Sequence, residues 1–258
     1  MKILVTGARS NIGYSICRLL AKRGHIVYPA VRTKKELETL NIKLKEEKLI
    51  MFPLVLDLEN NTKDIADFDL DILVLQASCG EGGSILEIDK LRVKKNIDVN
   101  VLGNFKLLQD YLRYLYKSKK RGKIFLTSSL ASFLPLPYLG SYTCSKVYLY
   151  QLAKTLRLEV WYQHLDVTIS LIMPGAYYTG FNEVMIDNKA KDKYLFDDKA
   201  KTMDKWQKIG FKAISSKDYN LLVKEVVKEL EKKHSKFIIS RPIYQYLLVK
   251  LYLSLFYF

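Results

Sequence analysis

Apolar residues are distributed along the chain in two alternating styles. Short, nearly unbroken runs occur at residues 2–5 (KILV), 25–31 (HIVYPAV), 52–58 (FPLVLDL), 71–78 (DILVLQAS), 122–129 (GKIFLTSS), 166–175 (DVTISLIMPG) and 236–240 (KFIIS). Each has the length of a β-strand. Between them the apolar positions recur every three or four residues, as on the buried side of a helix. Residues 12–23 show this with Ile12, Ile16, Leu19 and Leu20, and residues 34–47, 96–118, 142–163 and 217–233 continue it. Strands apolar throughout are covered on both faces, and strand–helix alternation makes them parallel. The pattern predicts an α/β fold, a Rossmann-like doubly wound parallel sheet, as a single domain over residues 1–240. Residues of about 180–215 read as a helical lid, and residues 241–258 as an apolar tail.

The first strand opens into TGARSNIG, residues 6–13. Gly7 permits a tight turn out of the strand, and Gly13 lets the following helix pack close to the sheet. The start of that helix offers unpaired N–H groups and the positive end of a dipole to a pyrophosphate. Asn11 stands where a third glycine is expected; asparagine reaches positive φ more readily than other side-chain-bearing residues. Alone, such a turn is weak evidence of a ligand.

The rest of the chain strengthens it. TGARSNIG resembles a TGxxxGxG turn, and LDL, residues 56–58, matches with Asp57 an acidic position that contacts an adenine ring. LQAS, residues 75–78, stands where NNAG is usual, with only Ala77 matching. Asn100 lies in a helix, Ser128 and Ser129 end a strand, YTCSK (142–146) is a YxxxK pair, and PGAYYT (174–179) is a PGxxxT segment. Ser129 precedes Tyr142 by thirteen residues. Taken in order, these motifs resemble the short-chain dehydrogenase/reductase family from Met1 to about Ile239. The resemblance implies a catalytic set of Asn100, Ser129, Tyr142 and Lys146. It implies a cofactor site of Thr6, Gly7, Arg9, Ser10, Asn11, Ile12, Gly13, Arg32, Asp57, Leu58, Ala77, Tyr142, Lys146, Pro174, Gly175 and Thr179, with no metal.

The residue types suit the implied chemistry. Reducing a carbonyl with a nicotinamide hydride leaves negative charge on oxygen, which needs a proton and a hydrogen-bond donor. A free tyrosine, with a pKa of about 10, is a slow acid near neutrality. Lys146 shares a helix face with Tyr142, so its cation is expected to favour the phenolate. By resemblance Lys146 also bonds the nicotinamide ribose, Ser129 steadies the substrate oxygen and Asn100 holds a relay water. At the end of the second strand Val31 occupies the position where an acidic residue would select NAD. Arg32 follows it, and with Arg9 it suits a 2′-phosphate. NADP(H) is therefore expected over NAD(H).

The expected function is an NADP(H)-dependent oxidoreductase acting on a carbonyl, or the matching secondary alcohol, of an apolar or lipid-like substrate. The lid carries Phe181, Met185, Tyr194, Leu195, Phe196, Met203, Trp206 and Phe211 among many charges, either to face such a substrate or only to dock the lid. The alternatives are a non-catalytic nucleotide-binding regulator or scaffold, and a nucleotide-sugar epimerase or dehydratase. The Asn–Ser–Tyr–Lys set argues against the first. The second needs a larger C-terminal substrate domain.

Composition changes this picture little. The 42 Lys and Arg against 27 Asp and Glu give a net charge of +15, but the lysines are spread along the chain without an arginine-rich tract. Nucleic acid is not expected as a partner. Three cysteines without a CxxC pair suggest neither a disulfide frame nor a metal site. They suit a reducing compartment, and the start of the chain reads as a strand rather than a signal peptide. A cytoplasmic location is expected. A homo-oligomer, dimer or tetramer, is the family habit.

The tail, RPIYQYLLVKLYLSLFYF, is too apolar for a solvated helix. Seventeen residues from Pro242 span about 25 Å at 1.5 Å each, short of a bilayer core of about 30 Å. Its aromatics suit a membrane interface and Lys232, Lys233, Lys236 and Arg241 suit anionic headgroups. A peripheral contact with the cytoplasmic membrane face and a subunit seam are the two readings.

Overall fold

The computed structural model describes residues 1–60, 65–182, 184–185 and 197–256. Seven strands form one sheet in the order β3-β2-β1-β4-β5-β6-β7, and every neighbouring pair is parallel. They are β1 (Lys2–Val5), β2 (Ile26–Val31), β3 (Leu54–Val55), β4 (Ile72–Leu75), β5 (Gly122–Thr127), β6 (Val167–Pro174) and β7 (Ile238–Arg241). The order reverses between β1 and β4. In open α/β sheets the ligand crevice opens at that reversal, beyond the carboxyl ends of the strands.

The strands are apolar throughout because successive side chains point to opposite faces and both faces are covered. Ile3, Val5, Ile72, Val74, Phe125 and Ile172 lie on one face, against Ile16 and Leu20 of α1 (Asn11–Lys22) and Val223 and Val227 of α7 (Asn220–Glu231). Leu4, Leu73, Leu75, Ile124, Leu126 and Leu171 lie on the other. They meet Leu107, Tyr111 and Leu115 of α4 (Asn104–Ser118), and Leu149, Ala153 and Leu156 of α5 (Gly140–Tyr162). Helix α2 (Lys34–Glu46) follows β2.

Two elements differ from the periodicity. The helix expected over 96–118 begins earlier, as α3 (Lys90–Ile97), and passes through a wider π-helical turn at Asp98–Gly103 before α4. A Cβ on Gly103 would lie 2.4 Å from the Leu58 carbonyl oxygen, so the bare glycine lets this turn rest on the LDL loop. The third strand keeps only Leu54 and Val55 in the ladder. Of the expected lid, Asp197–Ile214 forms helix α6; Tyr194, Leu195 and Phe196 lie outside the described residues. The tail is helix α8 (Ile243–Phe256). No helix among the described residues is long and apolar enough to cross a membrane.

Candidate active site

The carboxyl ends of β1, β4, β5 and β6 bring the predicted residues into one crevice. Gly7 takes φ +69°, and a Cβ there would sit 2.7 Å from the Ala77 Cα. Thr6 fastens the same junction: its hydroxyl accepts from the N–H groups of Gln76 (3.0 Å) and Ala77 (2.9 Å). So Ala77 of LQAS supplies the backbone surface on which the turn rests. Gln76 takes a bond of its own, accepting from the Thr127 hydroxyl at 2.7 Å. A Cβ on Gly13 would meet the Gly7 carbonyl oxygen at 2.5 Å, so the turn is a cradle closed to side chains.

Ser10 caps α1, accepting from the Gly13 N–H at 3.0 Å. That cap corrects the expectation for Asn11. It is the first residue of α1 and needs no positive φ, because Ser10 makes the departure from helical geometry. Its amide instead donates to the Thr179 carbonyl at 3.4 Å, joining the first turn to the PGxxxT segment. Ile12 is buried beneath.

At the far end of β1 and β2, Val31 is buried as the last strand residue and Arg32 is exposed next to it. Here the structure adds a residue the sequence reading passed over. Glu36 accepts from the Arg32 N–H at 2.8 Å and pairs with the Arg9 guanidinium at 3.2 Å. Thr33 caps α2 by accepting from the Glu36 N–H. The signal was available as T-x-x-E at 33–36, a capping-box spacing. Asp57 turns its carboxylate on its own loop, accepting from the Glu59 N–H (3.1 Å) and the Asn60 amide (3.3 Å).

Tyr142, in the first turn of α5, and Lys146, one turn on, are both buried. Burial pushes the Tyr142 phenol up to about 12, while a hydrogen bond with Ser129 pulls it down. Burial brings the Lys146 ammonium down to about 8. The ammonium donates to the Thr127 carbonyl at 3.2 Å and lies 5.6 Å from the centre of the Tyr142 ring. Desolvation is the largest cause at both groups. Ser128 donates to the Lys146 carbonyl at 2.8 Å, tying β5 to α5.

Asn100 sits in the wider helical turn and is fully buried. Its oxygen accepts from the Cys79 N–H (2.8 Å) and the Ser78 hydroxyl (3.0 Å). Its nitrogen donates to the Cys79 carbonyl (2.9 Å) and the Ser145 hydroxyl (3.0 Å). An amide has two donors and two acceptor sites, and all four are engaged within the protein. What it does is hold the loop after β4 against α5.

Over Tyr142 lies an apolar roof. Met185 and Leu139 are packed against the tyrosine, with Phe181, Leu136 and Phe211 around them. The Phe181 ring centre is 5.6 Å from that of Tyr142. Trp206 of the lid is exposed and Met203 half-buried, so only part of the expected lid face turns inward.

A cradle closed to side chains at the sheet's reversal point, followed by a buried Tyr–Lys pair, is the arrangement of a dinucleotide-binding α/β fold. The family model for short chain dehydrogenase matches residues 1–190, and the chain belongs to that family. It is 30% identical over 183 residues to a 3-ketodihydrosphingosine reductase of Bacteroides thetaiotaomicron, covering 70% of this chain and 65% of that one. It is 28% identical over 167 residues to an NADPH-dependent 1-acyldihydroxyacetone phosphate reductase of Saccharomyces cerevisiae, covering 61% of this chain and 55% of that one. The chain thus spans a little over half to about two thirds of the length of these relatives. Among solved structures, a short-chain dehydrogenase from Streptomyces avermitilis superposes with a TM-score of 0.77 at 18% identity, over 98% of this chain and 92% of that one.

Proposed function

We propose that this chain is an NADP(H)-dependent reductase of a ketone or aldehyde borne on an apolar body. The observation that carries the reading is the buried Tyr142 with Ser129 beside it, Lys146 one helical turn away and Phe181, Met185 and Phe211 packed around it. When bound, the nicotinamide supplies the hydride. The Thr6–Gly13 turn, Arg32, Asp57, Leu58, Ala77, Lys146 and the Pro174–Thr179 segment would hold it, and the cradle at Gly7 and Gly13 fits a pyrophosphate.

As charge grows on the substrate oxygen, Tyr142 delivers its proton there, and a phenol whose pKa is raised by burial still carries one at neutral pH. Ser129 donates to the same oxygen and keeps Tyr142 turned towards it. Lys146, cationic below about pH 8, stabilises the phenolate left behind. Asn100 contributes by position, through the Cys79 loop.

The apolar roof supports a greasy substrate, as do two relatives named for reducing lipid ketones. NADP(H) is supported by Arg32 after a strand end that lacks an acid. The outward side of α8 is formed by exposed Ile243, Tyr244, Leu247, Leu248, Leu251, Tyr252 and Leu255. We read it as a shallow contact with a lipid surface. Leu158 and Trp161, exposed on α5, mark the face on which two copies would pair. Incubation with NADPH and a panel of short and long-chain ketones, following nicotinamide absorbance, tests the function. Turnover rising with chain length is expected; none with any carbonyl would overturn it.

A further inference from the structure

One buried side chain outside the Asn–Ser–Tyr–Lys set reaches both covers of the crevice. Gln245 lies in the first turn of α8 and is only 7% exposed. Its Oε1 accepts from the Ala176 N–H at 2.7 Å, in the segment that leaves β6. Its Nε2 donates at 2.7 Å to the carbonyl of Ile214, the last residue of lid helix α6. The Tyr244 hydroxyl donates to the same carbonyl at 3.2 Å.

The surrounding backbone is built around this amide. A Cβ on Gly175 would fall 2.0 Å from Gln245 Oε1, so the glycine of PGAYYT is needed for the amide to approach. The Gly175 N–H donates to the Arg241 carbonyl at 3.0 Å. The segment and the lid's end are also laced directly, Ser216 N–H to the Ala176 carbonyl (3.0 Å) and Tyr178 N–H to the Ser216 carbonyl (3.1 Å). Only a neutral amide serves both directions. A carboxylate would keep the Ala176 bond and repel the Ile214 carbonyl, and a leucine would leave the Ala176 N–H without its acceptor and the Ile214 carbonyl with the Tyr244 hydroxyl alone.

We infer that Gln245 is a positioning residue: it sets the 174–179 segment and the end of the lid in one orientation, so that α8 governs how cofactor and substrate are covered. The inference rests on reading 174–179 as the nicotinamide cover. It gives the tail helix a part in the site that its outward apolar face does not reveal.

The test compares Gln245→Leu and Gln245→Glu with the unaltered chain, using Ser254→Ala, at an exposed position of α8, as control. Three quantities are read: NADPH dissociation constant by fluorescence, KM for ethyl 3-oxooctanoate, and amide exchange in the unliganded protein over 174–179 and 211–216. For Gln245→Leu, losing a buried bond is expected to weaken NADPH binding about ten-fold and to speed exchange in both segments. For Gln245→Glu, NADPH binding is expected to stay close to normal, while KM rises and exchange quickens only over 211–216. Ser254→Ala should change none of these. Should Gln245→Leu not fold, the split shown by Gln245→Glu decides. Equal losses of both functions in step with a lower melting temperature, or unchanged exchange in both variants, would overturn the inference. Failure of the unaltered chain to bind NADPH or NADH would instead count against the proposed function. The exchange comparison needs no ligand and would still judge Gln245.

Discussion

The Arg9 guanidinium lies 3.2 Å from one oxygen of Glu36, whose other oxygen accepts from the Arg32 N–H at 2.8 Å. One carboxylate therefore stands between the two arginines that suit a 2′-phosphate. Glu36→Gln should release Arg9 and remove a like charge from the phosphate's place. Because Arg9 is largely exposed, the gain is modest: NADPH affinity should rise about two- to five-fold, as an exposed pair is worth about 1 kcal/mol or less. NADH affinity should stay level. Titrating both cofactors by fluorescence checks this, and equal changes for both would make Glu36 only a helix cap.

Arg32→Ala should act in the opposite sense. Loss of a charge-assisted bond of about 1.5–3 kcal/mol lowers NADPH affinity about ten-fold or more and leaves NADH nearly unaffected. Parallel losses would show Arg32 to be structural.

Tyr142→Phe removes the transferable proton and little else. The turnover number should fall by about 10²–10⁴, with NADPH binding retained. Substantial activity in the purified variant would sink the role given to Tyr142.

Lys146 gives two pH dependences of opposite sign. In the proposed function its charge serves the cofactor, so NADPH affinity should fall as pH rises through about 8. Stability should do the reverse. The unfolded chain keeps this proton up to the ordinary lysine value of 10.5 and the folded chain releases it near 8, so between them the unfolded state binds more protons. Stability then rises with pH. Denaturation of the unaltered chain and Lys146→Met at pH 7.5 and 9.5, values of about those limits, should show the first gaining relative to the second.

The exposed apolar side of α8 is checked by co-sedimentation with anionic vesicles, for the full chain and one ending at Ser240. Only the full chain should pellet. If it stays in the supernatant and the shorter one alone dissociates into monomers, α8 is a subunit seam.

Much of this was legible in the sequence, for identifiable reasons. Apolar strand runs alternating with amphipathic helices dictate the doubly wound sheet, and local spacing places Gly7 in its turn and Tyr142 and Lys146 one helical turn apart. The residues that escaped act across long separations or through local caps. Gln245 bonds Ala176 at a separation of 69 residues, and no periodicity announces it. Asn11 read as a defective glycine because its environment is set by the cap at Ser10. The fates of Asn100 and the Tyr142 phenol depend on burial, which a motif does not state.

The junction of Thr6 with Gln76 and Ala77 bears on how the protein folds. Thr6 and its partners are 70 and 71 residues apart, with β2, α2 and β3 between them. The glycine turn is complete as a motif by residue 13, yet its floor arrives only when β4 has docked beside β1. Closing a loop of that size costs entropy before any contact repays it. A fragment holding only the first strand, turn and helix should therefore lack the shape of the site. The dinucleotide cradle therefore exists only where the two central strands have met.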